Sequence, residues 1–126
     1  MKRLCLLLFT VVTISTAPSA FGETRLAKDM RDECRAALDV MQKKVEPTLQ
    51  TTLFVGECIG YVQGVADASL TMADNVKWYR TCVPDSTSTL ELIENFVQFV
   101  DHNPKITLAS TAILSMLAQQ YPCKNK

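Results

Sequence analysis

Cys58-Ile59-Gly60-Tyr61-Val62-Gln63-Gly64-Val65-Ala66-Asp67 brings a thiol, a phenol and a carboxylate together in one short run. These are the parts of nucleophilic catalysis, provided that the thiol is free and the fold turns all three toward one point. On a regular helix Tyr61 and Asp67 stand roughly 120° apart, so no contact between them follows from their spacing. The glycines are the more unusual part. Gly56, Gly60 and Gly64 recur every fourth residue, Ala68 continues the line, and each glycine inside a helix costs about 1 kcal/mol relative to alanine. Such a line calls for something to approach the backbone closely. Two arrangements satisfy it: packing within the same domain, which we favour, or packing against another subunit or partner.

Whether Cys58 is free depends on the other cysteines. Residues 1–22 have the form of a secretory signal peptide, with Lys2 and Arg3, an apolar stretch from Leu4 to Ala17, and the small-residue cleavage site Ala20-Phe21-Gly22. The apolar stretch is short for a membrane span, which needs about 20 residues, and Cys5 leaves with it. Four cysteines remain, Cys34, Cys58, Cys82 and Cys123, an even number in a small exported chain, which reads as two disulfides in an oxidising periplasm. With all four bridged, no thiol is left to attack. His102, the single histidine, sits beside Asp101 near a helix C-terminus, where it complements the helix dipole. Asp67, Asp74 and Asp85 are too dispersed to form a carboxylate pair. No CxxC or HxxxH spacing suggests a metal, and we expect neither catalysis nor a cofactor.

A cut after residue 22 of 126 leaves 104 residues, enough for one domain, 23–126. Removing Lys2 and Arg3 from 13 basic residues leaves 11 against 13 acids, with no basic cluster, which argues against nucleic acid as a partner.

Four helical segments account for nearly all of this domain. The first runs from about Leu26 to Lys44, with Leu26, Met30, Cys34, Ala37, Leu38, Met41 and Val45 at helical spacing, and Glu46-Pro47-Thr48 ends it. The second runs from about Thr51 to Met72, carrying Phe54, Cys58, Tyr61, Val62, Val65 and Met72 on one side and the glycines beside them. Glu57 and Asp67 within it argue against a transmembrane helix. A loop from about Ala73 to Ser86 follows. Ser88 to Glu91 then has the form of a capping box ahead of Leu90, Ile93, Phe96, Val97 and Val100. That third helix ends at His102-Asn103-Pro104. The fourth starts near Thr107 and carries Leu108, Ala112, Ile113, Met116, Leu117 and Tyr121 until Pro122. The expected fold is all-α, a small disulfide-bridged bundle of four main helices in two antiparallel hairpins.

Helix geometry orders the disulfide pairings. Cys34 and Cys58 each lie roughly 10 to 15 Å from the turn between the first two helices, so an antiparallel hairpin brings them level. Cys82 before the third helix and Cys123 after the fourth meet in the same way. Cys58 with Cys82 is the alternative. Asp67, in an apolar setting, would cap a neighbouring loop or pair with a base, and the hydroxyl of Tyr61 would reach a polar group from the core. Trp78-Tyr79-Arg80 joins the three residue types that dominate protein-binding hot spots, in a loop that either contacts a partner or covers the bundle end.

The motifs occur in a recognisable order: Cys34, then C-x-G-Y-V-x-G-V-x-D at Cys58 to Asp67, C-x-P at Cys82 to Pro84, H-x-P at His102 to Pro104, and Y-P-C at Tyr121 to Cys123. This order resembles the Rap/Tai family of type VI secretion amidase-immunity proteins over almost the whole domain, with Tyr121 where phenylalanine is usual. The resemblance implies a periplasmic immunity protein that binds and inhibits a peptidoglycan amidase effector, forms a homodimer, and blocks the effector's active-site cleft with a protruding loop or helix end. The implied contact is the loop of Asp74, Asn75, Lys77, Trp78, Tyr79 and Arg80, with the turn from Glu46 to Gln50 second. Gly60, Tyr61, Gly64 and Asp67 then belong to the architecture, including the dimer contact. The alternative function is a small periplasmic helical chaperone or stress protein. A pH switch in such a protein would have to rest on its carboxylates, because His102 is alone.

Overall fold

The computed structural model describes residues 24–73 and 81–123. Four helices follow in order, α1 (Ala27–Met41), α2 (Leu49–Ala73), α3 (Thr89–His102) and α4 (Ala109–Gln120). Among the described residues there is no strand beyond two isolated bridges, Leu26 with Leu108 and Thr81 with Pro122. The expected all-α bundle is therefore present, as are both expected disulfides, Cys34–Cys58 and Cys82–Cys123.

The helix ends show what sequence spacing alone misses. The apolar pattern carries past Lys44, yet α1 stops at Met41. Lys43 adopts φ 57°, its N–H donates to the Val40 carbonyl at 2.9 Å, and the Lys44 N–H donates to the Asp39 carbonyl at 2.8 Å. This is the hydrogen-bond pattern of a left-handed helix stop, with lysine in the place glycine usually takes. At the start of α2 two threonines cap each other's backbone. The Thr51 N–H donates to Thr48 Oγ1 at 3.1 Å and the Thr48 N–H to Thr51 Oγ1 at 2.8 Å, so the helix begins two residues earlier than expected. Ser88 behaves as anticipated, its hydroxyl accepting from the Glu91 N–H at 3.1 Å. The Glu91 carboxylate turns instead to the Tyr121 hydroxyl, which donates to it at 3.1 Å.

Each helix contributes a buried stripe to one core. α1 supplies Met30, Cys34, Ala37 and Leu38; α2 supplies Cys58, Val62 and Ala66; α3 supplies Ile93, Phe96, Val97 and Val100; α4 supplies Ala112, Ile113, Met116 and Leu117. α2 is the longest element, and it packs most extensively against α1. Leu26, Val45, Met72 and Leu108, expected inside, are exposed. For Leu26 and Leu108 the cause is local: the two residues pair through the backbone at the ends of α1 and α4, with the Ala27 N–H donating to the Thr107 carbonyl at 2.7 Å. Val45 lies beyond the stop at Lys43, and Met72 extends past the level of the core.

In the chain-entropy view each disulfide stabilises the domain by about 3 to 4 kcal/mol, the larger contribution coming from the longer loop. Ser88→Ala removes the one side-chain acceptor at the start of α3 and is expected to cost about 1 kcal/mol in urea unfolding. A loss below a few tenths would show that the cap contributes nothing.

Candidate partner-binding surface

α2 is apolar almost all the way round, an arrangement usually found where a helix is enclosed. Here only one side is covered. Cys58, Val62, Ala66 and Ser69 are buried, whereas Gly56, Gly60 and Gly64 are exposed on the opposite side. A methyl group built on any of the three would meet no atom within 4 Å. The expectation that the glycines pack within the domain is thus overturned: they form an open lane, extended toward the start of the helix by Leu53 and Leu49, 60% and 81% exposed. Spacing identifies the residues that share a face. It does not say whether that face is covered.

Tyr61 and Val65 flank the lane half-buried and pack against the core. Asp67 is exposed, and among the described residues no side chain bonds its carboxylate, although its backbone carbonyl accepts from the Thr71 hydroxyl at 3.3 Å. Cys58 is joined to Cys34. Thiol, phenol and carboxylate do not converge on one point, and Cys58 is not a free thiol. Tyr121 gains a role beyond its ring: the hydroxyl accepts from Asn95 Nδ2 at 3.0 Å as well as donating to Glu91, and burial, with Glu91 beside it, raises its pKa.

The two turns expected to reach a partner lie at opposite ends of α2. The turn from Glu46 to Gln50 is exposed throughout. Asp74, Asn75, Lys77, Trp78, Tyr79 and Arg80 lie outside the described residues, directly after Ala73. A helix of 25 residues is about 37 Å long, so the two turns are alternatives for one cleft and not parts of a single insertion. On the far side of residues 74–80 the chain is firmly held. Thr81 is 4% exposed and its hydroxyl lies 3.2 Å from that of Ser69.

Two ion pairs join α1 to α3. Arg31 and Arg35, one helical turn apart, both bind Asp101, at 3.1 and 2.5 Å. Gln42 Nε2 donates to Glu94 at 2.6 Å across a shallow cleft of about 390 Å³. Sequence reading missed this pairing, for which the only signal was the spacing of the two arginines. Asp101 faces these arginines, and His102 Nδ1 lies 2.7 Å from the Gln98 carbonyl in the last turn of α3, so the adjacent pair does not act as one unit. Among the described residues no group of three or more His, Cys, Asp or Glu side chains could hold a metal ion.

On the other side of α1, Arg25 serves two carboxylates, Glu33 at 3.2 Å and Glu57 at 3.3 Å. One guanidinium cannot neutralise both. Burial pushes the Glu33 pKa above its usual 4.5; Arg25 opposes the shift, and Glu57 and Asp29 add to it. α4, which meets Arg25 through the Ala109 N–H to Arg25 carbonyl bond at 3.0 Å, carries no charged residue.

A family profile described as Rap1a immunity proteins matches residues 26–123, nearly the entire described domain. The chain belongs to this family. No curated protein and no solved structure matches it. Membership in an immunity family implies binding to a cognate secreted effector, and such proteins act as inhibitors rather than as enzymes. The immunity motif also acquires a physical content here. Cys58 staples α2 to α1, Tyr61 leans on the core, and Gly60, Gly64 and Asp67 face outward.

Two outcomes test the site. Gly60→Ala and Gly64→Ala add a methyl group in open space, so each should stabilise the isolated domain by up to about 1 kcal/mol in urea unfolding at low concentration. Destabilisation would mean that the lane is covered even in the monomer. For Glu33, a pKa raised by folding means that the folded state holds its proton more tightly than the unfolded chain. The contribution of this group to stability is lost as pH rises through the folded pKa and regained on acidification. Relative to Glu33→Gln, the unaltered protein should therefore gain stability between pH of about 7 and about 4.5. An unchanged or opposite difference in paired unfolding curves would refute this.

Proposed function

We propose that residues 1–22 export the protein to the periplasm, where it binds and inhibits a peptidoglycan amidase effector of a type VI secretion system. The observation that carries this reading is the match to the immunity family across residues 26–123. Two disulfides suit an oxidising compartment, and no helix among the described residues is long and apolar enough to cross a membrane.

Blocking a cleft is favoured when the flanks of the inserted element are fixed, because ordering chain at the moment of contact weakens the complex. Residues 74–80 suit that role by position and composition. They follow directly on the long α2, and Thr81 and Cys82 beyond them are tied to Ser69 and Cys123. Asp74, Asn75, Lys77, Trp78, Tyr79 and Arg80 are the proposed contacts, with Trp78 and Arg80 as anchors. The open lane of Gly56, Gly60 and Gly64, with Leu49 and Leu53, is the proposed contact between two copies in a homodimer. A helix without side chains at these positions allows close approach of another backbone.

Co-expression with an amidase directed to the periplasm should rescue cells that the amidase otherwise lyses. Trp78→Ala and Arg80→Ala should each weaken effector binding by about 2 kcal/mol or more, roughly thirtyfold, with an unchanged helical circular-dichroism spectrum. If the protein neutralises no amidase from its own genome or related ones, the reading fails. If binding persists unchanged in both variants, the contact lies elsewhere.

A further inference from the structure

The two disulfides differ in what governs attack by a thiol. Cys34 and Cys58 are both fully buried and belong to the hydrophobic core. Cys82 is exposed and Cys123 half-buried, and neither belongs to that core. Exchange requires a thiolate to reach one of the sulfur atoms, so access decides which bond opens first.

What the accessible disulfide holds is also separable from the bundle. It fastens the Thr81–Cys82 stretch to residues 121–123, beyond the end of α4 at Gln120. The other contacts there are the Thr81 to Pro122 bridge, the Cys82 N–H donating to the Tyr121 carbonyl at 2.8 Å, the Thr81 hydroxyl 3.2 Å from that of Ser69, the Tyr121 hydroxyl with Glu91 and Asn95, and the half-buried packing of Val83 and Tyr121 on the core. The buried members of the apolar core end at Leu117, and that core has its own covalent tie between α1 and α2.

We infer that Cys82–Cys123 is a redox latch, which an external dithiol opens while Cys34–Cys58 stays closed and the helices remain folded. A thiolate of the dithiol attacks the sulfur of Cys82 or Cys123, the bond between them breaks, and the other cysteine leaves as a thiolate and takes up a proton. The second thiol of the reductant then attacks the mixed disulfide, closing its own disulfide and freeing the remaining cysteine. Two electrons and two protons pass from the dithiol to the protein. Residues 121–123 are then held to Thr81 and Cys82 by hydrogen bonds, with the Tyr121 ring still packed on the core. The latch stands apart from the identity of any effector.

Dithiothreitol titration of the oxidised protein tests this, with alkylation of free thiols, mass mapping of the adducts and far-ultraviolet circular dichroism on the same samples. The expected result is labelling of Cys82 and Cys123 at reductant concentrations at least about tenfold below those that label Cys34 and Cys58, with the helical signal unchanged. Hydrogen exchange at the Cys82 amide should accelerate in the same window, while that at Cys58 stays slow. Labelling of all four cysteines together, loss of helix in step with the first labelling, or an unchanged Cys82 amide would each overturn the latch. The double variant C82S/C123S supplies an independent check. It should keep its helical spectrum and a closed Cys34–Cys58 bond, and an unfolded protein would equally overturn the inference.

Discussion

The Cys34–Cys58 bond fixes α1 and α2 at one level, and the rest of the domain is arranged from that level. Both cysteines are fully buried, so the bond stands inside the apolar layer and not at its edge. It sets which residues of α2 face inward. Val62, Ala66 and Ser69 follow Cys58 at helical spacing along the covered side, and α3 and α4 close over them. The same rotation turns Gly56, Gly60 and Gly64 to the outside. The face of the longest helix opposite the covalent tie is thus the one left uncovered.

The domain combines tight satisfaction inside with asymmetry on its surface. No buried side-chain nitrogen or oxygen among the described residues lacks a hydrogen-bond partner. On one side of α1, two arginines converge on Asp101; on the other, a single arginine is shared by Glu33 and Glu57. Exposed ion pairs of this kind contribute about 0 to 1 kcal/mol each, so most of the stability rests on the apolar stripes and the two disulfides.

Much of this was legible in the residues. Helical spacing of Met30, Cys34, Ala37 and Leu38, and of Ile93, Phe96, Val97 and Val100, located two helices and their buried faces. Ser88 announced a helix start, and antiparallel geometry paired the cysteines. Three things were not legible, each for a physical reason. Lysine at position 43 carries no stop signal, because its left-handed conformation is imposed by neighbouring carbonyls and not preferred by its side chain. Packing of the glycines within the domain, the favoured of two readings, does not hold, because periodicity cannot rank two faces of a helix that is apolar on nearly every side. The convergence of Arg31 and Arg35 on Asp101 depends on the register between α1 and α3, which no local pattern encodes.

The two disulfides close loops that lie one after the other along the chain and do not interlace. One joins Cys34 to Cys58 and the other Cys82 to Cys123, so residues 59–81 lie outside both rings. A peptide bond broken within either ring leaves a single covalent molecule. A bond broken between residues 59 and 81 leaves two, α1 with at least the first part of α2 in one and α3 with α4 in the other, joined only by side-chain packing and hydrogen bonds. Residues 74–80, proposed to meet the effector, fall in that interval. Proteolysis within that interval, unlike proteolysis inside either ring, would release α1 from α3 and α4 covalently.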